Sequence, residues 1–467
     1  MRTTHLGAAH VRPGVVTAWV PTPGCVRAVR GAPPDARPLT EDQESHLLAS
    51  AGASSLDPAE APWIGFSVVL TAPTSTSVAA ALASFFDRHE SLRCDYVPDG
   101  VRHRRRLASP GTVEFEPLPV GHYGGVQETH AAVVEHLASH AQPHVWPRAG
   151  FVTVESEVGL TLYAAFDHVT FDVQSMYAAA DELPLLHHAY SAADAPDPCL
   201  ARPGSHLDHA QEEADRLREV GPDDPRLADW RALLEDGSAV PAPPSSGVRS
   251  GERWGHELTT MPVATPGEVR ELDELGRSWG SSLEQIFLAL LVSSIAGLEP
   301  GPNRLRALVA VPGRPPGQEG AVGWFAKLGP LVLDLEPGLE LATVLARTTA
   351  VLDRMTEAAQ LPLPVVRSLL DRPVEPELVL AVADHRAVPR QGWRASKAHG
   401  FLGHVPASAQ VHAAISCLSS GALLEARHPD TPTCSAWMAT VAVGVRRGVL
   451  AALDPRPATL SSEQATG

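Results

Sequence analysis

The strongest constraint on the fold is that the order of elements starts over partway along the chain. On either side of Pro241–Gly251 (PAPPSSGVRSG), a segment whose prolines, serines and glycines suit a linker, the same two kinds of pattern alternate. Before it, Trp63–Leu70 (WIGFSVVL) has the β-branched and aromatic content of a strand. Val78, Leu82, Phe85 and Phe86 then recur at helical spacing within Val78–His89. Phe151–Val154 and Leu160–Phe166 follow as strands and Val173–Tyr190 as a helix. After it come an apolar helix over Leu283–Ile295, strands at Leu305–Val311 and Leu331–Leu335, and an amphipathic helix over Leu341–Ala358. Strands at Glu377–Val382 and Val411–Ser416 and a closing helix over Ala436–Leu453 complete the half. Interleaving on both sides predicts an α/β protein of two lobes, residues 1–240 and 252–467, joined by 241–251.

Local signals mark several element ends. Thr40 and Gln43 stand at capping-box spacing, and Thr265 opens a helix reaching Ser278. A charged helical stretch covers Asp208–Leu234, and residues 1–37, rich in Gly, Pro and Val, read as an irregular lead-in.

Composition removes several function classes. Among 467 residues, 54 Asp plus Glu against 37 Lys plus Arg leave a net charge of −17, the wrong sign for general nucleic-acid binding. No apolar run reaches the roughly 18–20 residues of a membrane span, so no membrane partner is expected. Cys25, Cys94, Cys199, Cys417 and Cys434 are widely spaced and form no metal or redox motif. That pattern, and a start (Met1–His5) without the apolar core of a signal peptide, point to the cytoplasm. His187-His188 lacks a third ligand nearby in sequence and reads as a helix end, not a metal site.

Chemistry concentrates at Leu160–Ser175 (LTLYAAFDHVTFDVQS), where a strand delivers Asp167 and His168 and then, four residues after the histidine, Asp172. The strand must stop here, because adjacent charged side chains cannot all be buried unpaired. An imidazole that titrates near neutrality suits general-base work, while a polar surface turn would show the same residues.

The segment DHVTFDVQS resembles the HHxxxDGxS signature of nonribosomal peptide synthetase condensation domains and their acyltransferase relatives. Other motifs of that family follow in order: Arg88–Arg93 (RHESLR), Ser205–Ala210 (SHLDHA), Val322–Phe325 with Pro330-Leu331, and Gln360–Pro362. Asp384-His385-Arg386 is similar to a segment of freestanding relatives, including polyketide-associated acyltransferases. The resemblance implies two chloramphenicol-acetyltransferase-like lobes forming a V-shaped pseudo-dimer with an active-site tunnel between them. It implies transfer of an acyl or aminoacyl group from a thioester to an amine or hydroxyl, giving an amide or ester. His168 would assist the nucleophile, Asp172 would pair with an arginine, here Arg314, and Asp167 would support the turn. Val173, Ser175, Trp324 and Lys327 occupy further motif or tunnel positions, Ser175 as a helix cap. No bound cofactor is implied. The donor arrives on the phosphopantetheine arm of an acyl or peptidyl carrier protein in trans, or on coenzyme A. No carrier or adenylation segment is recognisable in this sequence.

The sequence departs from the family pattern at three points. Asp167 replaces the first histidine, Val173 replaces a glycine and Lys327 an asparagine. A carboxylate at 167 is expected to raise the His168 pKa or hold its tautomer, and a β-branched residue at 173 to narrow the tunnel. Two alternatives stay open: a docking module that kept the fold without turnover, and a heterocyclisation domain, whose DxxxxDxxS pattern Asp167, Asp172 and Ser175 satisfy. Arg102–Arg106 (RHRRR) fits either a carrier-protein phosphate or a solvated edge.

Overall fold

A computed structural model describes residues 2–5, 11–52, 63–71, 74–191, 200–235, 239–240, 244–298, 303–336, 338–386, 397–403 and 407–454. Two large sheets organise it. The first has seven strands, in the order Arg2–His5, His399–Leu402, Trp63–Leu70, Gly159–Asp167, Ala149–Ser156, Gly14–Pro21 and Phe115–Tyr123. The second has six, in the order His256–Ala264, Gly421–Pro429, Val411–Leu418, Leu378–Asp384, Asn303–Val311 and Lys327–Leu335.

Each sheet buries an apolar face. In the first half Phe66, Phe86, Phe151 and Phe166 pack with the helices Ser75–Arg88 and Val173–Ser191. In the second, Ala413, Ile415 and Leu424 pack with Leu283–Ala296 and Pro432–Leu453. The Pro432–Leu453 helix is long and apolar enough to cross a membrane by composition, yet Trp437, Met438, Val441 and Val445 are buried in this core. The reciprocal cap expected at Thr40/Gln43 is made, and Thr265 opens its helix as expected, in a reciprocal cap with Glu268.

Three features differ from the sequence-based expectations. The described part of the lead-in holds the strand Gly14–Pro21 and the helix Pro23–Arg30, whose N-cap is Thr22. Gly and Pro there mark element ends, not the absence of elements. The strand Phe115–Tyr123 carries Pro117 and Pro119, which is tolerated because it lies at a sheet edge. Most consequentially, His399–Leu402, far beyond the linker, inserts into the first sheet, antiparallel to Trp63–Leu70 and parallel to Arg2–His5.

Candidate functional site

The strand Gly159–Asp167 ends because Asp167 turns its carboxylate back onto the Val169 N–H at 2.8 Å, starting a short 3-10 turn over His168–Thr170. Phe171 stacks on Phe166 with ring centroids 4.0 Å apart, and the Gln43 side-chain amide donates to the Val169 carbonyl at 2.6 Å. The turn bearing His168 is therefore clamped from below and from the side.

Asp172 then opens the helix Val173–Ser191, accepting from the Ser175 N–H at 2.8 Å. The capping role expected of Ser175 thus falls to Asp172. The Ser175 hydroxyl instead lies 2.8 Å from Asp172 Oδ1, 2.8 Å from Arg314 Nη2 and 2.9 Å from the Gly323 carbonyl. Arg314 meets Asp172 as a fork, Nη1–Oδ2 at 2.9 Å and Nη2–Oδ1 at 2.7 Å. The main-chain N–H groups of Phe325 and Ala326 also donate to Asp172 Oδ2. Burial raises the Asp172 pKa, but Arg314 and these donors outweigh it and hold the carboxyl below its ordinary value.

Arg314 and Trp324 belong to the segment that leaves the strand Asn303–Val311 and crosses to the first half. It folds back on itself tightly: a Cβ on Gly313 would lie 1.8 Å from the Phe325 carbonyl oxygen, so only glycine fits. Trp324 packs on the His168 ring at 4.0 Å between centroids, tilted by 36°. His168 is partly exposed although its Nδ1 is buried without a well-formed hydrogen bond. Burial pushes the His168 pKa below its ordinary value, and the nearby His46 adds to that shift. The imidazole is thus held neutral over a wider pH range than a free one.

Asp167 pulls the His168 pKa in the expected upward direction, but burial and His46 outweigh it. The buried Asp167 carboxylate faces His46 on the helix Glu41–Gly52, with His46 Nε2 3.0 Å from Oδ1 and 3.3 Å from Oδ2. Burial lowers the His46 pKa, but the charge and hydrogen bond of Asp167 prevail and raise it overall. The electrostatic pull of Asp167 on His168 is the weakest of the causes acting there. The result is a paired His46–Asp167 next to an unpaired, neutral His168, with Trp324 touching both imidazoles.

Lys327 is buried, and its ammonium pairs with Glu213 and lies 4.0 Å from Asp42. Val173 is 48% exposed at the first turn of its helix. The other motif segments tie the halves together: the Ser91 hydroxyl donates to the Val322 carbonyl at 2.7 Å, and His206 Nε2 lies 3.0 Å from the Trp324 carbonyl. His385 stacks on Tyr177 at 4.0 Å. Away from the turn, His187 Nε2 lies 3.1 Å from the Ser77 hydroxyl. Of the basic run, Arg102 pairs with Glu41 at 2.7 Å, and Arg105 is buried, donating to the Pro38 carbonyl at 2.8 Å.

His46 and Glu213 were not singled out from sequence, and His206 stood there only within the SHLDHA motif, with no partner named. They come from helices far away along the chain, and no local spacing ties them to Asp167, Lys327 or Trp324.

Two α/β halves with a histidine turn from one sealed by a segment of the other define a two-lobed α/β fold. No protein-family model and no curated protein matches the chain. Among solved structures, the PapA2 acyl transferase aligns over 97% of this chain and 100% of its own, with TM-score 0.84 at 18% identity. The first condensation domain of the calcium-dependent antibiotic synthetase, in complex with a substrate analogue, aligns over 90% and 97%, with TM-score 0.67 at 14% identity. The starter condensation domain of rhizomide synthetase, in complex with C8-CoA and Leu-SNAC, aligns over 89% and 94%, with TM-score 0.66 at 15% identity. The chain has the fold of the condensation-domain superfamily, two chloramphenicol-acetyltransferase-like lobes in a V-shaped pseudo-dimer.

Proposed function

We propose that this chain is a cytoplasmic acyltransferase of natural-product biosynthesis that moves an acyl or aminoacyl group from a thioester to an amine or hydroxyl. The observation that carries the reading is His168: a neutral, partly accessible imidazole fixed between the halves by Trp324 and by the locked Asp172–Arg314 fork. Structures of the same fold include one named an acyl transferase and one bound to C8-CoA, which supports a donor presented on coenzyme A or on a carrier protein's phosphopantetheine arm.

In this reading His168 Nε2 takes the proton as the amine or hydroxyl attacks the thioester carbonyl carbon. The tetrahedral intermediate then collapses with cleavage of the C–S bond, and the imidazolium returns the proton to the departing thiolate. The enzyme supplies proximity and a base, since the thioester is already activated. Asp172, Arg314 and Ser175 hold the turn, and we assign them no proton transfer. The boundaries 1–240 and 252–467 are kept as the working division, with His399–Leu402 exchanged into the first sheet.

The test is mass spectrometry of products from acyl-CoA or an acyl-loaded carrier protein offered with a panel of amines and alcohols. His168→Ala is expected to lower the rate by about two to four orders of magnitude. Full turnover in that variant would overturn the role of His168, and no turnover by wild type would favour the docking module. One observation keeps that second reading: the first motif position is spent on His46 and not on the turn's own histidine. Loss of a further water from the product would instead identify heterocyclisation.

A further inference from the structure

The second sheet has two faces, and only one is the core. On the opposite face, Leu308 and Val379 share an apolar cluster with the helices Leu227–Leu233 and Leu363–Leu370. Over Val411–Leu418 and Gly421–Pro429 that face belongs to no apolar cluster. Ala381 and Ala414 face each other there, both partly exposed, with Glu425 across from Ala414, Ser416 beyond them at one end and His412 opposite Arg427 at the other. Ser416 and His412 are four residues apart on one strand, so the floor between these ends is about 13 Å long.

The two ends differ in how their polar groups are satisfied. Ser416 Oγ donates to Glu425 at 2.5 Å. Arg427 makes no ion pair with any described residue. Its guanidinium donates to the Gln410 side-chain oxygen, and its Nε is buried with no partner. A cation in such surroundings carries a desolvation cost that no ion pair among the described residues offsets. Burial alone lowers the Arg427 pKa to about 10. His412, directly opposite on the neighbouring strand, is pushed down to about 3 by burial and then by Arg427, so it is a neutral imidazole with one N–H to donate. Both residues keep some solvent access.

We propose that Arg427 and His412 form an oxyanion-binding subsite for the carboxylate, sulfate or phosphate group of the acceptor, whose remainder lies along the alanine floor. The Ser416 end points towards the candidate reaction centre. The cross-strand partner of Ser416 is Ala383, two residues further on His385 stacks on Tyr177, and Tyr177 belongs to the helix that follows the His168 turn. The role in acceptor selection rests on the acyl-transfer reading, whereas anion binding itself does not.

Binding is therefore tested without turnover. Calorimetry and thermal unfolding would be run with millimolar sodium sulfate, inorganic phosphate and succinate against chloride at matched ionic strength. The proteins would be wild type, Arg427→Met, Arg427→Lys and His168→Ala. Wild type and His168→Ala are expected to bind at least one of the three, and their ranking names the anion. Both Arg427 variants should bind it at least tenfold more weakly, and Arg427→Met without anion should unfold no lower than wild type, because it removes an unpaired charge. If Arg427→Met does not fold, Arg427→Lys carries the test, since it keeps the charge and loses the fork. No binding by wild type, or equal binding by the folded Arg427 variants, overturns the proposal. Anion binding in a protein inactive towards every acyl donor would leave the subsite standing and remove the acyl-transfer reading alone.

Discussion

Burial beside a charged neighbour sets the behaviour of His168. Because its pKa is lowered, the acid limb of kcat/KM should fall below the ordinary histidine value of about 6.5. His46 contributes to that shift, so His46→Gln, which removes the charge and can keep a hydrogen bond to Asp167, should move the limb to higher pH. A pH–rate profile of the two proteins decides it, and an unmoved limb would show that His46 has no electrostatic hold on His168. His168 and Asp172 were legible in the sequence because strand, turn and spacing are local. The partner of Asp167 was not. A carboxylate adjacent in sequence to a histidine lies on the opposite face of a strand end, and its charge is answered by whichever helix covers that face.

Between elements, two buried charge clusters carry the contact of the halves, and they respond to pH in opposite senses. The Asp172 carboxyl titrates below its unfolded value of about 3.9, so the stability it lends is present above that pH and lost as pH falls through the lower folded value. Arg314→Ala leaves that carboxylate buried without its cation and should cost about 3–5 kcal/mol in urea unfolding at neutral pH. Asp172→Asn with Arg314→Ala should cost clearly less than the sum of the single changes, and strict additivity would show that the two do not interact. Asp42 behaves the other way. Burial raises its pKa to about 6, with Lys327 opposing and Glu213 and Glu41 adding to the rise. Stability is therefore lost as pH rises through about 6. Asp42→Asn is expected to raise the melting temperature at pH 7.5 and to give no gain at pH 4.5. A lower melting temperature at both would show the charged form to be needed by Lys327. The Thr40/Gln43 cap of the helix bearing Asp42 was readable from sequence; Lys327–Glu213–Asp42 was not, since it joins three elements that nothing but packing brings together.

At the scale of the whole molecule, the exchanged strand His399–Leu402 makes the first sheet depend on the second half of the chain. Residues 1–240 produced alone should fail to give a cooperative thermal transition, because Trp63–Leu70 would become an uncovered edge. Co-expression with residues 241–467 should restore it. A cooperative transition from 1–240 alone would show the exchanged strand to be an ornament on a self-sufficient lobe. The sequence by itself determined what depends on neighbours along the chain: strand and helix identity for most core elements, two helix caps, the acidic charge, and the turn that presents His168 between Asp167 and Asp172. Tertiary structure alone decided which side chain answers each buried charge, which strand crosses between the halves, and that Arg427 has a buried Nε and no ion pair among the described residues. Periodicity and capping act over a few residues and leave a local imprint, whereas desolvation and pairing depend on every group within a few ångströms, wherever in the chain it originates.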